Sequence, residues 1–315
     1  MKPSFFIEDK KDQADMDKMR MKKPYSKLKE TLVEKALLAC ALISVIVVIL
    51  IFSFLFSQGL PAFRQVSITD FLIGPKWEPT SEVRVLFGTL PLLYGTMIVT
   101  LVAMVISVPL GLMIAIYVAE VARPLERESL KPIIELLAGV PSVIYGLFAM
   151  VTLATWIQQL TGTSYRLNAL NGGVILAIMV LPTIVSLAED AITAVPREYR
   201  EAATALGASK WEAIRSVLLP SASSGILAAV FLGFGRAIGE TMAVLMATGN
   251  LAAIGSILEP TRTMTATIAI ETPEVAFGGL HYSALFALAT ELFLITFVFN
   301  YLASAIGKRL RRMER

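Results

Sequence analysis

The amino-acid sequence predicts an all-α polytopic membrane protein of six transmembrane helices, with a cytoplasmic helix–turn–helix between the fourth and the fifth. Three observations predict it. Apolar runs near 20 residues recur along the chain, the length that crosses the hydrocarbon layer. Only 17% of the 315 residues are charged and 56% are hydrophobic, whereas a soluble domain carries about 25% charged residues. Lys and Arg crowd alternate loops, as the positive-inside rule requires. The length suits one helical bundle with no soluble domain left over. No alternation recurs at the spacing of a membrane β-barrel.

Residues 1–35 are expected to form a charged cytoplasmic tail, with ten Lys and Arg. The first span, 36–57, reads as a signal anchor that stays, because it sits far from the terminus and lacks a small-residue cleavage site. Further spans are expected at 92–119, 133–157, 173–194, 226–249 and 283–306. One six-span domain therefore covers 36–306, and 307–315 form a basic cytoplasmic tail. Twenty helical residues cover about 30 Å, so the longer spans tilt or emerge. The two tails, the loop with Arg123, Arg127 and Lys131, and the loop with Arg197, Arg200, Lys210 and Arg215 hold 22 Lys and Arg against 5 in the remaining loops. Both termini are thus expected in the cytoplasm. The loop at 58–91 contains Pro61, Pro75 and Pro79. It is either an ordinary connection or a contact for an external partner. Cys40 is the single cysteine and has no intrachain partner; His281 is the single histidine. The lone histidine excludes a metal site built on several imidazoles, and it reads as a plain loop residue at the outer interface.

Residues 196–220 predict the helix–turn–helix from local physics. Pro196 suits the first helical turn, where a missing N–H costs nothing. Glu198 and Glu201 follow near the positive end of the dipole. Gly207 suits the left-handed stop position. Ser209 and Glu212 form a Ser-x-x-Glu capping box that starts a second helix. Pro220 is expected to end that helix.

Polar residues within the spans mark candidate chemistry. Arg236 falls near the middle of the fifth span, where Arg costs about 2.5–3.5 kcal/mol and must face protein or water. Glu240 is four residues on, on the same face of a continuous helix. Gly235 and Gly239 offer a Gly-x-x-x-Gly spacing for close helix contact. Two readings stand for Arg236: a guanidinium fork for an oxyanion such as phosphate, or a self-neutralising pair with Glu240. Glu291, in the sixth span, is a second candidate partner for it. Glu135, one turn into the third span, and Glu189 and Asp190, at the end of the fourth, read as interfacial or gate-lining. Pro109, Pro141 and Pro182 permit kinks. The phosphate-loop motif G-x-x-x-x-G-K-[ST] is absent, so the chain does not bind ATP by that route. Nothing points to a hydrolase.

The loop at 196–220 resembles the EAA motif of ABC importer permeases, E-A-A-x(3)-G-x(9)-I-x-L-P. Glu201, Ala202, Ala203, Gly207, Leu219 and Pro220 match, and Val217 replaces the usual Ile. The segment from Glu135 to Gly146 is similar to the third-span signature of phosphate importer permeases. The segment from Gly235 to Val244 resembles the fifth-span signature of the PstC family, where the sister PstA family follows Gly-Glu-Thr with Ala-Pro. Gly279-Leu280-His281 with Glu291 also resembles PstC. The resemblance covers about residues 36 to 310, and excludes the charged tail. It implies a type I ABC importer permease in the inner membrane, working with a PstA-like sister permease, two PstB-like ATPase subunits and a PstS-like phosphate-binding protein, with a link to PhoU and a sensor kinase. ATP and Mg would lie on the ATPase chain, and no cofactor on this one. Arg236, Glu240 and Glu291 would line the substrate pathway, and Glu201, Ala202, Ala203, Gly207, Val217, Leu219 and Pro220 would belong to the ATPase-coupling loop. A permease for molybdate or sulfate, and an ion-coupled secondary phosphate carrier, are the alternative readings. A mainly regulatory membrane subunit is another.

Overall fold

The computed structural model of the chain describes residues 24–82 and 84–313. Most of the expected charged tail lies outside the described residues; residues 24–35 of it are already helix. Helix α1 (Pro24–Gly59) is a single 36-residue rod. Its apolar side chains from Leu32 to Leu50 are exposed on every side, as lipid contact requires. Residues up to Phe54 form one compact unit, and Leu55–Arg315 form the other.

The second unit begins with the external segment, which is more ordered than a plain connection. A 3-10 turn (Leu60–Arg64) leads into a short helix α2 (Ile68–Ile73) and an antiparallel pair, β1 (Trp77–Glu78) and β2 (Leu86–Phe87). Edge-on aromatic contacts run Phe63–Phe71 at 5.3 Å, Phe71–Trp77 at 6.5 Å and Trp77–Phe87 at 5.6 Å. This ladder is buried with Leu92, Met264, Leu285 and Leu288 in a core of its own.

The membrane bundle follows: α3 (Leu90–Ile116, continued by a π turn to Val121), α4 (Pro124–Ala138), α5 (Ser142–Phe148), α6 (Ala154–Thr161), α7 (Ala169–Thr193), α8 (Arg197–Ala205), α9 (Lys210–Ala213), α10 (Leu219–Gly239), α11 (Met242–Ala247), α12 (Met264–Glu271) and α13 (Leu280–Met313). Among the described residues, six helical segments are long and apolar enough to cross a membrane. The central one is α7, which packs against α3, α4, α10 and α11. Small residues make this possible. A Cβ on Gly173 would lie 2.4 Å from a Val102 methyl, and one on Gly233 would lie 2.8 Å from Ile184.

Three expected boundaries are corrected. The third span does not start at 133. The backbone breaks at Gly139-Val140-Pro141, so α4 is a separate helix and the span runs Ser142–Thr161. Pro141 disfavours helical geometry at Val140 and has no N–H to continue the ladder. Glu135 is therefore exposed on α4, outside the span. The fifth span is also discontinuous: α10 stops at Gly239, and Glu240 is extended (φ −68°, ψ 135°). Pro220 does not end its helix. A π turn at Ile214–Leu218 precedes it, with the Leu219 N–H donating to the Ile214 carbonyl. That wider turn shifts the hydrogen-bond ladder, and Pro220 sits within the first two positions of α10, where its lost donor is harmless.

His281 is likewise not a plain loop residue. It lies in the first turn of α13, with Nε2 2.8 Å from Glu271 Oε2. Glu271 also accepts from Trp77 Nε1 at 3.0 Å and from Arg262 at 2.8 Å. One carboxylate thus ties β1, the segment before α12 and the start of α13 together.

Candidate functional site

The break after α10 builds the first part of the site. Arg236 occupies the last turn of that helix, where the negative end of the dipole favours a cation. Its guanidinium donates to Thr183 Oγ1 at 3.0 Å. Thr183 lies about 21 Å from the Ala169 end of α7 and about 15 Å from the Thr193 end, at 1.5 Å per residue. Arg236 is therefore near mid-membrane, as expected, although its helix stops there. Its side chain is exposed on the chain's surface, beside exposed Gly239. Irregular backbone at this depth is tolerated only where it is buried in protein or lines water. The surface with Arg236, Gly239 and Glu240 therefore faces a protein partner or an aqueous path, not lipid.

The expected Arg236–Glu240 pair is not formed. Because the helix stops at Gly239, Glu240 leaves the face of Arg236. Its Oε1 accepts from the Ala243 N–H at 3.1 Å, and its carbonyl accepts from Thr265 Oγ1 at 2.7 Å. The carboxylate caps α11 instead. The Gly-x-x-x-Gly contact is also not realised within this chain. A Cβ on Gly235 would lie 3.5 Å from Asn300 Oδ1, and one on Gly239 would meet nothing within 4 Å among the described residues. Glu291 is not the partner of Arg236 either. Nine residues separate it from Asn300, which lies level with Gly235, so it sits about 13 Å outward along α13. There it accepts from Thr89 Oγ1 at 3.3 Å. No signal in the sequence marks Thr183, since a lone Thr in an apolar span is unremarkable.

The second part is the 196–220 loop. Gly207 has φ +85°, the left-handed turn expected of it. Ser209 and Glu212 make the expected capping box. Pro196 is one position earlier than expected, at the N-cap of α8. Arg200 anchors α8: its Nε donates to Glu120 Oε1 at 3.0 Å and its Nη1 to the Val195 carbonyl at 2.7 Å. Ala203 is buried; Glu201, Ala202, Gly207 and Pro220 are exposed, and Val217 and Leu219 half-buried. Leu206 is 90% exposed and Trp211 61% exposed, either side of Gly207. Two large apolar side chains thus stand bare on a polar loop. Both were readable from sequence as apolar residues flanking the turn glycine. From Lys210 the helical run continues through the π turn to Gly239, so Trp211 and Arg236 lie on one rod.

A buried acidic centre braces the same end of the bundle. Glu189, 2% exposed, pairs with Arg127 and with Lys131 at 2.9 Å, both on α4. The Glu189 hydrogen bond raises the Lys131 pKa, the larger of the opposing influences, over its partial burial. Glu189 is thus an ion-pair anchor between α4 and α7, and Asp190, 3.3 Å from Lys131, joins it from the exposed side.

Residues 107–312 match the model of the binding-protein-dependent transport system inner membrane component. The chain belongs to that family. It is a multi-pass inner membrane protein and a transport subunit, not an enzyme. Among its relatives is the phosphate transport system permease protein PstC of Mesorhizobium japonicum, 40% identical over 73% of this chain and 75% of that one. The probable ABC transporter permease protein YqgH of Bacillus subtilis is 35% identical over 86% of this chain and 88% of that one. The expected PstC likeness is borne out by these and further relatives of that name at 31–35% identity. Solved neighbours share the permease fold: a bacterial alginate ABC transporter with TM-score 0.59 at 16% identity, over 89% of this permease and 97% of that chain, and the MetNI methionine ABC transporter with TM-score 0.54 at 17% identity, over 71% and 94%.

Proposed function

We propose that this permease carries inorganic phosphate inward across the cytoplasmic membrane, as one subunit of an ATP-driven importer that works by alternating access. The observation that carries the reading is Arg236: an exposed guanidinium at half-membrane depth, beside a helix break, bonded to no carboxylate among the described residues. Such a fork suits a tetrahedral oxyanion. The PstC names of the relatives supply the anion. Passage requires attraction weak enough for release.

In this reading both termini and the 196–220 loop are cytoplasmic. The loop docks on a PstB-like ATPase, one of two, which holds ATP and Mg; this chain holds no cofactor. A PstA-like sister permease completes the pathway, and a PstS-like binding protein delivers phosphate from outside. A PhoU and sensor-kinase link would pass through the same complex. ATP-driven closure pulls on Leu206 and Trp211, and the rod from Lys210 to Gly239 carries the displacement to Arg236. Gly207→Val is expected to impair this coupling, because a β-branched residue at φ +85° costs about 1–2 kcal/mol or more in the left-handed region. The ratio of phosphate transported to ATP hydrolysed measures it, and an unchanged ratio would remove the turn from the mechanism.

The direct test is radiolabelled phosphate uptake at low phosphate in cells with and without the chain, with sulfate and molybdate as competitors. Loss of a saturable component that only unlabelled phosphate competes supports the reading. Competition by molybdate or sulfate replaces the substrate, and collapse with the proton gradient alone replaces the energy source.

A further inference from the structure

The second unit contains an apolar cavity of about 530 Å³. Its walls come from the end of α1, the 3-10 turn, α2 and α13, including Phe56, Leu60, Phe71, Leu72 and Leu294. Its acidic wall residue is Glu291. Oε1 of Glu291 accepts from Thr89, whereas Oε2 is shielded from solvent and has no hydrogen-bond partner among the described residues. No Lys, Arg or His lines the cavity, and Glu291 enters no ion pair among the described residues. A carboxylate left this way in apolar surroundings is costly unless something donates to it.

Position and exposure indicate the missing donor. Thr89 occupies the N-cap position of α3, so the carboxylate lies level with the first residues of the second span and about 13 Å outward of the Arg236 level. Around the cavity, Leu60, Ile68, Leu72 and Leu294 are all more than 40% exposed, so the walls continue onto the apolar surface. Gly59 meets α13 so closely that a Cβ would lie 2.7 Å from the Ala287 nitrogen, which joins the end of α1 to α13 along one wall. A cationic headgroup on an apolar tail matches this combination of an unpaired acid and an apolar trough. An anionic headgroup would be repelled, and an apolar side chain would leave Oε2 bare.

We propose that this cavity is a binding site for a membrane aminophospholipid, with its ammonium donating to Oε2 of Glu291 and an acyl chain lying along Phe56, Leu60, Leu72 and Leu294. This assigns Glu291 to lipid binding rather than to the anion path, and the assignment stands whichever anion is carried.

The test uses the full importer complex, extracted in mild detergent and read by native mass spectrometry and lipid extraction. Wild-type complex is expected to retain phosphatidylethanolamine in preference to phosphatidylglycerol. Glu291→Gln, which keeps the shape and removes the charge, is expected to lower that retention about tenfold, as loss of a charge-assisted hydrogen bond implies. Leu294→Trp, which fills the trough from the exposed side, is expected to lower it as well. Equal retention by wild type and both variants would overturn the proposal. So would preferential retention of phosphatidylglycerol. Absence of retained lipid, together with a disulfide from Leu294→Cys to a cysteine placed in the sister permease, would give the cavity to protein instead.

Discussion

Arg236→Ala is expected to lower the initial rate of phosphate uptake about 100-fold while the importer still assembles. Hydrogen bonds to charged groups contribute about 1.5–3 kcal/mol, and about 1.4 kcal/mol is a factor of ten. A mid-membrane guanidinium offering a fork to one anion stands at the upper end of that range. Assembly should survive because the side chain is exposed and is held by one bond to Thr183, so its removal leaves no buried carboxylate bare. Arg236→Lys keeps the charge but loses the planar fork, and is expected to fall between wild type and Ala. Uptake rates normalised to the amount of assembled complex measure both. Normal uptake by an assembled Arg236→Ala complex would sink the pathway role.

Trp211→Ala is expected to weaken binding of the ATPase subunit about 30-fold. Exposed aromatic anchors in docking surfaces cost about 2 kcal/mol or more when truncated, which converts to that factor. Trp211 is 61% exposed, and Ala213 and Ile214 behind it are buried, so the helix keeps its seat when the indole is removed. Affinity of purified ATPase for the permease in lipid nanodiscs reads the effect directly. Unchanged affinity would move the docking surface elsewhere. Uptake should fall with affinity, but it should recover when the ATPase is supplied in excess, which separates a docking defect from a pathway defect.

The parts of the fold that sequence made legible are those governed by local rules. Six apolar segments were placed because hydrocarbon thickness sets their length. The Gly207 turn was placed because left-handed backbone favours Gly, and the second helix of the loop because Ser209 and Glu212 can cap it. Where two rules competed, the reading went wrong. Pro141 inside an apolar run reads as a kink, and it is a full break that frees α4. Pro220 reads as a stop, and a π turn carries the helix through it. Run length alone does not say which outcome occurs, since both depend on neighbours that re-satisfy the freed backbone groups.

The candidate site divides in the same way. That an arginine in an apolar span must face protein or water followed from sequence, as did the helix–turn–helix; the exposure of Leu206 and Trp211 beside its turn came from the structure. The partners of the charges were decided only by tertiary structure. Glu240 turned to cap α11 once the backbone broke at Gly239; Glu291 was carried outward along α13 to Thr89; Glu189 became the buried anchor for Arg127 and Lys131; His281 was drawn onto Glu271 with Trp77 and Arg262. A charge tells by its cost that it needs a partner. Which group answers depends on helix breaks and on crossings that bring together residues as far as 202 positions apart, and no local rule reaches that far.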